Sequence, residues 1–294
     1  MGVMLFRILG NDIPVRHGAN QTLRNLAFIL ENEPDLPGCE KRFLLNRIAF
    51  PEIRQQLVDL IEQAGLLWHE IPFERSVYRH LATFGEKALY LTNQNAARNR
   101  CIDLGFAHGN IVLPFDGQVF ISAQGWGELI RRIDENRSGK FFTVPMFRLR
   151  SNRHALESTT RPEADANHLW AEPQIAVRAG CDIRFNERLT YGRANKVEML
   201  MRLGVPGPWD KWIGDHIREI RASLVNTRSQ EYGKVREAGF VVRLESGNWK
   251  ADRNISFRAQ ARNTGLEDFV ARVDASLRQP VAGAASAHLA HAPA

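Results

Sequence analysis

Three clusters of polar residues or glycine follow short apolar runs, and their side chains suit an anionic or hydroxyl-bearing ligand. The runs cover residues 3–9, 43–45 and 110–115, and each has the composition of a buried β-strand. In an open parallel sheet, ligands bind outside the carboxyl ends of the strands. The candidate ligand-binding residues are therefore Gly10, Asn11, Asp12, Asn46, Arg47, Asp116, Gly117 and Gln118. Loops after strands are commonly polar and Asp-Gly is a common turn, so each cluster alone is also typical of a surface loop.

Helical patterns separate these runs, which is the element order expected of a parallel sheet. Further strands are predicted over residues 66–71 and 140–146. Helices are predicted to begin at Thr22, Pro51, Asn95 and Gln124, and to end at Glu33-Pro34, Gly65, Gly105 and Glu135. The alternation predicts an α/β fold with a doubly wound, mainly parallel sheet.

The rest of the chain has a different character. Residues 147–212 read as a loop-rich segment, and residues 213–278 as a mostly helical extension with one strand at 240–244. The last residues, 279–294, are mainly Ala, Pro, Gly and His, and this composition predicts a disordered tail. The predicted organisation is a ligand-binding and catalytic domain at 1–212, the extension, and the tail.

The charge of the chain indicates which kinds of partner it is expected to bind. The 294 residues include 39 Lys and Arg against 33 Asp and Glu, a formal net charge of +6. A nucleic-acid-binding protein usually concentrates its basic residues, whereas these are scattered, so no nucleic-acid partner is expected. The excess of arginine fits either a solvated basic surface or an anionic small molecule such as a nucleoside diphosphate.

The expected location is the cytoplasm. No apolar run reaches the roughly 18 residues of a membrane span, and the first residues lack the basic leader of a signal peptide. The three cysteines are far apart and odd in number, which indicates thiols in a reducing compartment.

Two segments resemble the core of GT-A glycosyltransferases, especially the inverting, family-2-like kind. Residues 93–99, Asn-Gln-Asn-Ala-Ala-Arg-Asn, and residues 111–118, which end in Asp-Gly-Gln, look like that family's Ala-Arg-Asn helix start and its strand ending in Asp-x-Asp. Residues 174–178 and 185–187 resemble its returning segment and its Phe-Asp-Glu turn. The resemblance covers about residues 4–203.

The resemblance implies a GT-A-like, Rossmann-related fold and a hexosyltransferase-type activity. The donor would be a nucleotide-diphosphate sugar, with a UDP-sugar favoured. The acceptor would be a glycan or another hydroxyl compound, as in polysaccharide biosynthesis, and the anomeric centre would be inverted. The resemblance assigns Asn95 and Arg98 to the donor site, and Asp116 to a Mg²⁺ or Mn²⁺ ion on the diphosphate. Arg98 could instead pin Asp116 in an ion pair inside the fold.

Two departures from the family pattern alter the expected chemistry. Gln118 replaces the second acid of Asp-x-Asp and is a weaker ligand for a hard cation. Arg193 and Lys196 stand where the family carries late acidic residues, one of them the base. Side-chain cations are therefore expected to stabilise the leaving diphosphate, with the metal weakly bound or not required. Arg193 and Lys196 could equally face water on a helix beginning near Asn195.

Glu172 is the candidate replacement base, although it could instead be a loop carboxylate that caps the backbone or faces solvent. Trp126, Trp170, Trp209 and Trp212 are candidate sugar-stacking surfaces or core residues. Two other functions remain open, a nucleotidyltransferase on a related sheet and a non-catalytic nucleotide- or glycan-binding protein.

Overall fold

The computed structural model describes residues 2–14, 17–149, 151–157, 160–161, 169–182, 184–189, 195–211, 235–245 and 255–278. The strands are β1 (Val3–Leu9), β2 (Cys39–Asn46), β3 (Leu67–Ile71), β4 (Ile111–Asp116), β5 (Val119–Phe120), β6 (Phe141–Arg148), β7 (Leu169–Arg178), β8 (Arg236–Glu237) and β9 (Val241–Arg243). The helices are α1 (Gln21–Asn32), α2 (Pro51–Gln63), α3 (Arg75–His80), α4 (Phe84–Thr92), α5 (Gln94–Phe106), α6 (Ala123–Glu135), α7 (Arg153–Glu157), α8 (Asn195–Arg202) and α9 (Ile255–Arg278). A 3-10 helix covers Pro208–Lys211.

The strands form one mixed sheet in the order β3-β2-β1-β4-β7-β6-β9-β5, and β8 pairs with β6. The pairs β1–β2, β1–β4, β2–β3, β6–β8 and β6–β9 are parallel, whereas β4–β7, β6–β7 and β5–β9 are antiparallel. The predicted α/β fold with a mainly parallel sheet is therefore confirmed. No described helix is both long and apolar enough to cross a lipid bilayer.

Helices cover both faces of the parallel half of the sheet, as a doubly wound fold requires. On one face, Met4 and Phe6 of β1 pack with Ala97 and Cys101 of α5. Residues of α1 and α2 pack on the other face against Leu9 and the middle of β2. Every residue of β1 is buried, which explains why its sequence is a continuous apolar run interrupted only by Arg7.

The strand order reverses at β1, since β2 lies on one side of it and β4 on the other. Such a reversal leaves a crevice outside the carboxyl ends of the two strands on either side of it. Gly10 follows β1 and Gly117 follows β4, so both border this crevice.

The prediction of a loop-rich segment after residue 146 was wrong for β7, a ten-residue strand between β4 and β6. Glu172 and Pro173 obscured the strand pattern, because proline cannot donate a hydrogen bond to its neighbour. The pairing of β7 with β6 shifts between Val144 and Met146, opposite this dipeptide. The resulting bulge accommodates Pro173 inside the sheet.

Gly105 does not end the helix before β4, as its position had suggested, because α5 continues to Phe106. A Cβ atom on Gly105 would lie 2.5 Å from a methyl group of Val112. The glycine therefore permits close packing of α5 on β4. The predicted strand near residues 240–244 is confirmed by β9, which pairs with β5 and β6 in the main sheet.

The helix α9 docks beside α3 and α4. Lys87 of α4 lies 2.9 Å from the carboxylate of Asp274, and Arg79 of α3 donates to the carbonyl of Leu277 at 2.7 Å. Gly265 faces the backbone of Pro14. The segments 212–234 and 246–254 and the predicted tail at 279–294 lie outside the described residues, so the domain limits stay a prediction.

We expect Gly265→Ala to lower the free energy of unfolding by about 1–3 kcal/mol, as overpacking does. The added methyl group would overlap the Pro14 carbonyl oxygen and lie 2.9 Å from a methyl group of Ile13. The control is Gly127→Ala in α6, where a Cβ atom meets nothing within 4 Å. That control should stabilise the protein by about 0.5–1 kcal/mol through helix propensity. Urea denaturation measures both, and a shift of equal sign would contradict the close contact.

Candidate functional site

Three side chains from three separate elements converge on Asp116, the last residue of β4. Arg98 of α5 donates to Asp116 Oδ1 at 2.6 Å. Gln174 of β7 donates to Oδ2 at 3.0 Å, and Lys196 of α8 donates to the same oxygen at 3.4 Å. Both carboxylate oxygens of Asp116 are thus engaged by protein donors.

Burial makes this cluster an electrostatic unit. Arg98 and Lys196 are each only 3% exposed. Burial alone would raise the pKa of Asp116, but Lys196 and Arg98 outweigh it and hold that pKa far below its usual range. Burial lowers the pKa of Lys196, and the Asp116 carboxylate partly opposes this shift. Two cations on one carboxylate leave a net positive charge at the end of β4.

Two further charged residues act on the Lys196 ammonium. Glu172 of β7 favours the charged form of Lys196, whereas Arg243 of β9 disfavours it. With the amide oxygen of Gln118 oriented toward Arg243, that oxygen accepts from both Nη2 and Nε of the guanidinium, the latter at 2.8 Å. Gln118 is thereby tied to β9.

The asparagines of the segment 93–99 hold Arg98 and the turn at 185–187 in place. Asn93 caps α5, its side chain accepting from the Ala96 amide at 3.0 Å. Asn95 accepts from Arg98 at 2.7 Å and donates to the carbonyl of Asn186 at 2.7 Å. Asn99 similarly binds the backbone N–H and carbonyl of Phe185. Two of the segments that carried the sequence resemblance, residues 93–99 and 185–187, are therefore in direct contact.

The residues after β1 support their own loops. Asn11 donates to the carbonyls of Arg47 and Leu91 at 2.8 and 3.1 Å, and accepts from the Ala49 amide at 2.9 Å. Asp12 accepts from the hydroxyl and amide of Thr22 at the start of α1. Burial raises the pKa of Asp12 against the lowering effect of these hydrogen bonds. The side chains of Asn11 and Asp12 therefore position backbone around the crevice.

The residues after β2 lie closer to α5. Asn46 donates to the Asn93 carbonyl at 3.2 Å and accepts from Arg47 at 3.1 Å. Arg47 has a left-handed backbone, with φ of 48°, and its guanidinium lies 5.0 Å from the centre of the Tyr90 ring. Burial lowers the pKa of Arg47. Asn46 and Arg47 connect the carboxyl end of β2 to the start of α5.

Glycines allow the close approach of these loops. A Cβ atom on Gly117 would lie 2.5 Å from the Ile8 carbonyl oxygen, so only glycine lets the chain after β4 pass β1. Gly10 lies beside the amide of Gln94. The Oε1 atom of Gln94 is buried and has no hydrogen-bond partner among the described residues. It is thus a polar group at the crevice that a ligand could satisfy.

Comparisons with known proteins give structural similarity only. No protein-family model and no curated protein sequence matches the chain. Among solved structures, S. aureus TarS 1–349 in complex with UDP is 14% identical with a TM-score of 0.38, over 77% of this chain and 71% of that one. The mannosyltransferase PcManGT from Pyrobaculum calidifontis, in complex with GDP-Man and Mn²⁺, is 12% identical with a TM-score of 0.36, over 94% and 69%.

A third solved structure, a 4-diphosphocytidyl-2C-methyl-D-erythritol synthase, is 10% identical with a TM-score of 0.33, over 86% of this chain and 96% of that one. The fold class itself rests on the strand order and pairing.

The donor set around Asp116 does not fit Mg²⁺ or Mn²⁺. Such ions need several oxygen ligands with free lone pairs. The oxygens of Asp116 face Arg98, Gln174 and Lys196, and Gln118 is bound to Arg243. Among the residues that the structure describes, no three His, Cys, Asp or Glu form a group that could hold a metal.

Other predicted residues lie elsewhere or outside the described chain. Arg193 and the side chains of Trp170 and Trp212 are not described. Trp126 and Trp209 are 4% and 0% exposed and belong to the hydrophobic core, which makes them unsuitable as sugar-stacking surfaces. Sequence reasoning missed Gln174 and Arg243, although each is a polar residue within an apolar strand pattern.

A separate cavity of about 600 Å³ lies between α1 and α2, beside the first residues of β2 and β3. Its lining includes Arg7 and Glu33, which form a buried ion pair, and Lys41, a partly exposed second partner of Glu33. This is the amino end of those strands, opposite the crevice. The cavity is therefore separate from the candidate site, which is identified by its charged residues and by the strand order.

Proposed function

We propose that this chain is a glycosyltransferase that moves a sugar from a nucleotide-diphosphate donor, favoured as a UDP-sugar, to a hydroxyl acceptor such as a glycan. The observation that carries the proposal is the convergence of buried Arg98 and Lys196 on Asp116 beside the crevice. As the bond from sugar to diphosphate breaks, negative charge grows on the leaving group. Preorganised cations in a site of this kind stabilise that charge.

The residues around the crevice suggest a division of roles. Asn46, Arg47 and the unpartnered amide oxygen of Gln94 are suited to bind the nucleotide, and Gly10 lets it approach the backbone. Glu172 is the candidate base because it lies within electrostatic reach of Lys196. The acceptor oxygen would bond to the anomeric carbon and pass its proton to Glu172 while the diphosphate leaves. This single displacement inverts the anomeric centre.

The location proposed for this reaction is the cytoplasm. None of the three cysteines, all of them among the described residues, is in a disulfide bond, and Cys101 and Cys181 are buried. This use of cysteine is typical of a reducing compartment.

A second candidate function is non-catalytic binding of a nucleotide or glycan. The specific observation in its favour is that both oxygens of Asp116 are engaged by protein donors, while Lys196 occupies a position where the resembled family carries an acid. Release of free nucleoside diphosphate from a nucleotide sugar supports the enzyme. Tight binding without such release supports the binding protein.

We expect a nucleoside diphosphate to raise the melting temperature in a screen of UDP, GDP, CMP and their sugars. At a ligand concentration 100 times Kd, the stabilisation should be about 2.7 kcal/mol. Arg47→Gly removes a cation while keeping the left-handed backbone, and should weaken binding about tenfold or more. Arg131→Ala, on the exposed face of α6, should bind as the wild type does. If no nucleotide or nucleotide sugar shifts the melting temperature, the proposed function is wrong.

A further inference from the structure

We propose that the Lys196 ammonium is the cation of the diphosphate site and that it contacts Asp116 where a divalent metal ion would otherwise bind. The inference rests on the proposed function and specifies how its site meets the charge of the donor. It predicts nucleotide binding that needs no metal, which differs from the role the sequence resemblance assigned to Asp116.

The contacts of Asp116 leave a metal ion no suitable position. One oxygen accepts from Arg98 at 2.6 Å, and the other is shared by Gln174 and Lys196 at 3.0 and 3.4 Å. A divalent ion bound to that second oxygen would lie within a few ångströms of the Lys196 ammonium. Like charges at that separation repel strongly in a buried site.

Lys196 is fixed in this position by the packing of α8. It is the second residue of that helix and is 3% exposed. The following residues, Val197, Met199 and Leu200, are buried in one cluster with Ile102 of α5. An unpaired ammonium would be costly at this depth, so the pairing with Asp116 and the docking of α8 on α5 support each other.

Gln118, at the second position of the Asp-x-Asp motif of the resembled family, is also not available as a metal ligand. The Gln118 amide oxygen accepts from Arg243, a residue that acts on Lys196 as well. The charged groups around Asp116 are thus Arg98, Lys196 and Arg243 against Asp116 and Glu172, which leaves an excess of one positive charge. The ammonium of Lys196 carries three N–H donors, and its contact with Asp116 engages one of them.

The test measures UDP and GDP binding by isothermal titration calorimetry, in excess EDTA and in excess Mn²⁺, on the full chain. We expect the wild-type Kd to agree within about twofold between the two conditions. Lys196→Gln should weaken binding at least about tenfold, because a charge-assisted contact is lost. Lys140→Gln, an exposed lysine near β6, is the matched control and should leave Kd unchanged.

A second measurement uses Mn²⁺ itself as the probe. Free Mn²⁺ gives an electron paramagnetic resonance signal that disappears on binding. Lys196→Asp places a second carboxylate beside Asp116 and should bind Mn²⁺, whereas the wild type and Lys140→Asp should not. Circular dichroism checks that each variant is folded, and the wild-type arms test the proposal even if Lys196→Asp does not fold.

The outcomes separate the two proposals. If UDP or GDP binds the wild type only with Mn²⁺, or binds Lys196→Gln as tightly as the wild type, the role of Lys196 is wrong and the proposed function stands. If neither nucleotide nor any nucleotide sugar binds under either condition, the proposed function itself fails.

Discussion

Asp116→Ala is expected to lower the free energy of unfolding by about 3–5 kcal/mol, the cost of breaking a buried ion pair from one side. Arg98 and Lys196, both 3% exposed, would lose their shared carboxylate and face each other as unpaired buried cations. The side-chain amide of Gln174 would also lose its oxygen acceptor and keep only the Met146 sulfur, a weak acceptor. Urea denaturation followed by circular dichroism measures the effect.

The control for this variant is Glu135→Ala on α6. Glu135 forms a 2.6 Å ion pair with Arg131, but both side chains are about half exposed, so its loss should cost about 1 kcal/mol or less. The double variant Asp116→Asn with Lys196→Met should recover part of the loss, because one unpaired cation is removed. Equal destabilisation by Asp116→Ala and Glu135→Ala would contradict the buried cluster.

The direction of the Asp116 pKa fixes how this contribution depends on pH. Since the folded-state pKa lies far below the ordinary value, the stabilisation is fully present above the ordinary carboxyl range. It declines as the pH falls from there toward the lowered pKa. The difference between wild type and Asp116→Ala should therefore be constant near neutral pH and shrink in acid.

Sequence patterns predicted the parallel half of the fold because burial there is uniform. Every residue of β1 is buried between α5 on one face and α1 and α2 on the other, so the strand is an apolar run interrupted only by Arg7. The strand β7 escaped the same reasoning because Glu172 and Pro173 interrupt it. The pairing shift that accommodates them is a property of two strands together.

The location of the candidate site could be predicted from the sequence, whereas its side-chain contacts could be predicted only in part. The carboxyl ends of the strands located Asp116, and the sequence resemblance located Arg98. Asn11 and Asp12 show what residue type alone cannot decide, since their amide and carboxylate groups could either bind a ligand or form hydrogen bonds that stabilise a loop. Their side chains form hydrogen bonds with Arg47 and Thr22 in those loops, and their contact with a ligand stays a prediction.

The sequence showed only that Lys196 stands where the resembled family carries an acid. It did not predict that Lys196 contacts Asp116. That contact requires that α8 dock on α5 and that β7 lie beside β4, two tertiary arrangements that local pattern does not encode. The same holds for the pairing of Gln118 with Arg243, which depends on the position of β9 next to β5. Gln118 and Lys196, two of the departures from the pattern of the resembled family, thus each have a partner that only the folded chain brings to it.

Glu33→Ala is expected to have the other large effect, about 3–5 kcal/mol. Arg7 is 0% exposed and donates through its guanidinium to Glu33 Oε1 and to the Val119 carbonyl, the latter at 3.0 Å. Glu33 also accepts from the Ile121 amide at 3.0 Å and lies 3.2 Å from Lys41. Without this carboxylate, Arg7 would keep one carbonyl partner for a fully buried charge.

Two comparisons test whether the charge of Glu33 or only its hydrogen bonds hold β1, β5 and the end of α1 together. Glu33→Gln keeps an oxygen for Arg7 and the Ile121 amide but loses the charge, so its unfolding free energy should fall between those of the wild type and Glu33→Ala.

Glu40→Ala removes an exposed partner of Arg42 and should cost about 1 kcal/mol or less. If Glu33→Ala is as stable as Glu40→Ala, then water entering the adjacent cavity solvates Arg7, and the pair is not a buried one in solution. If Glu33→Gln equals the wild type, the hydrogen bonds alone account for the contact, because a neutral amide would then serve the guanidinium as well as a carboxylate.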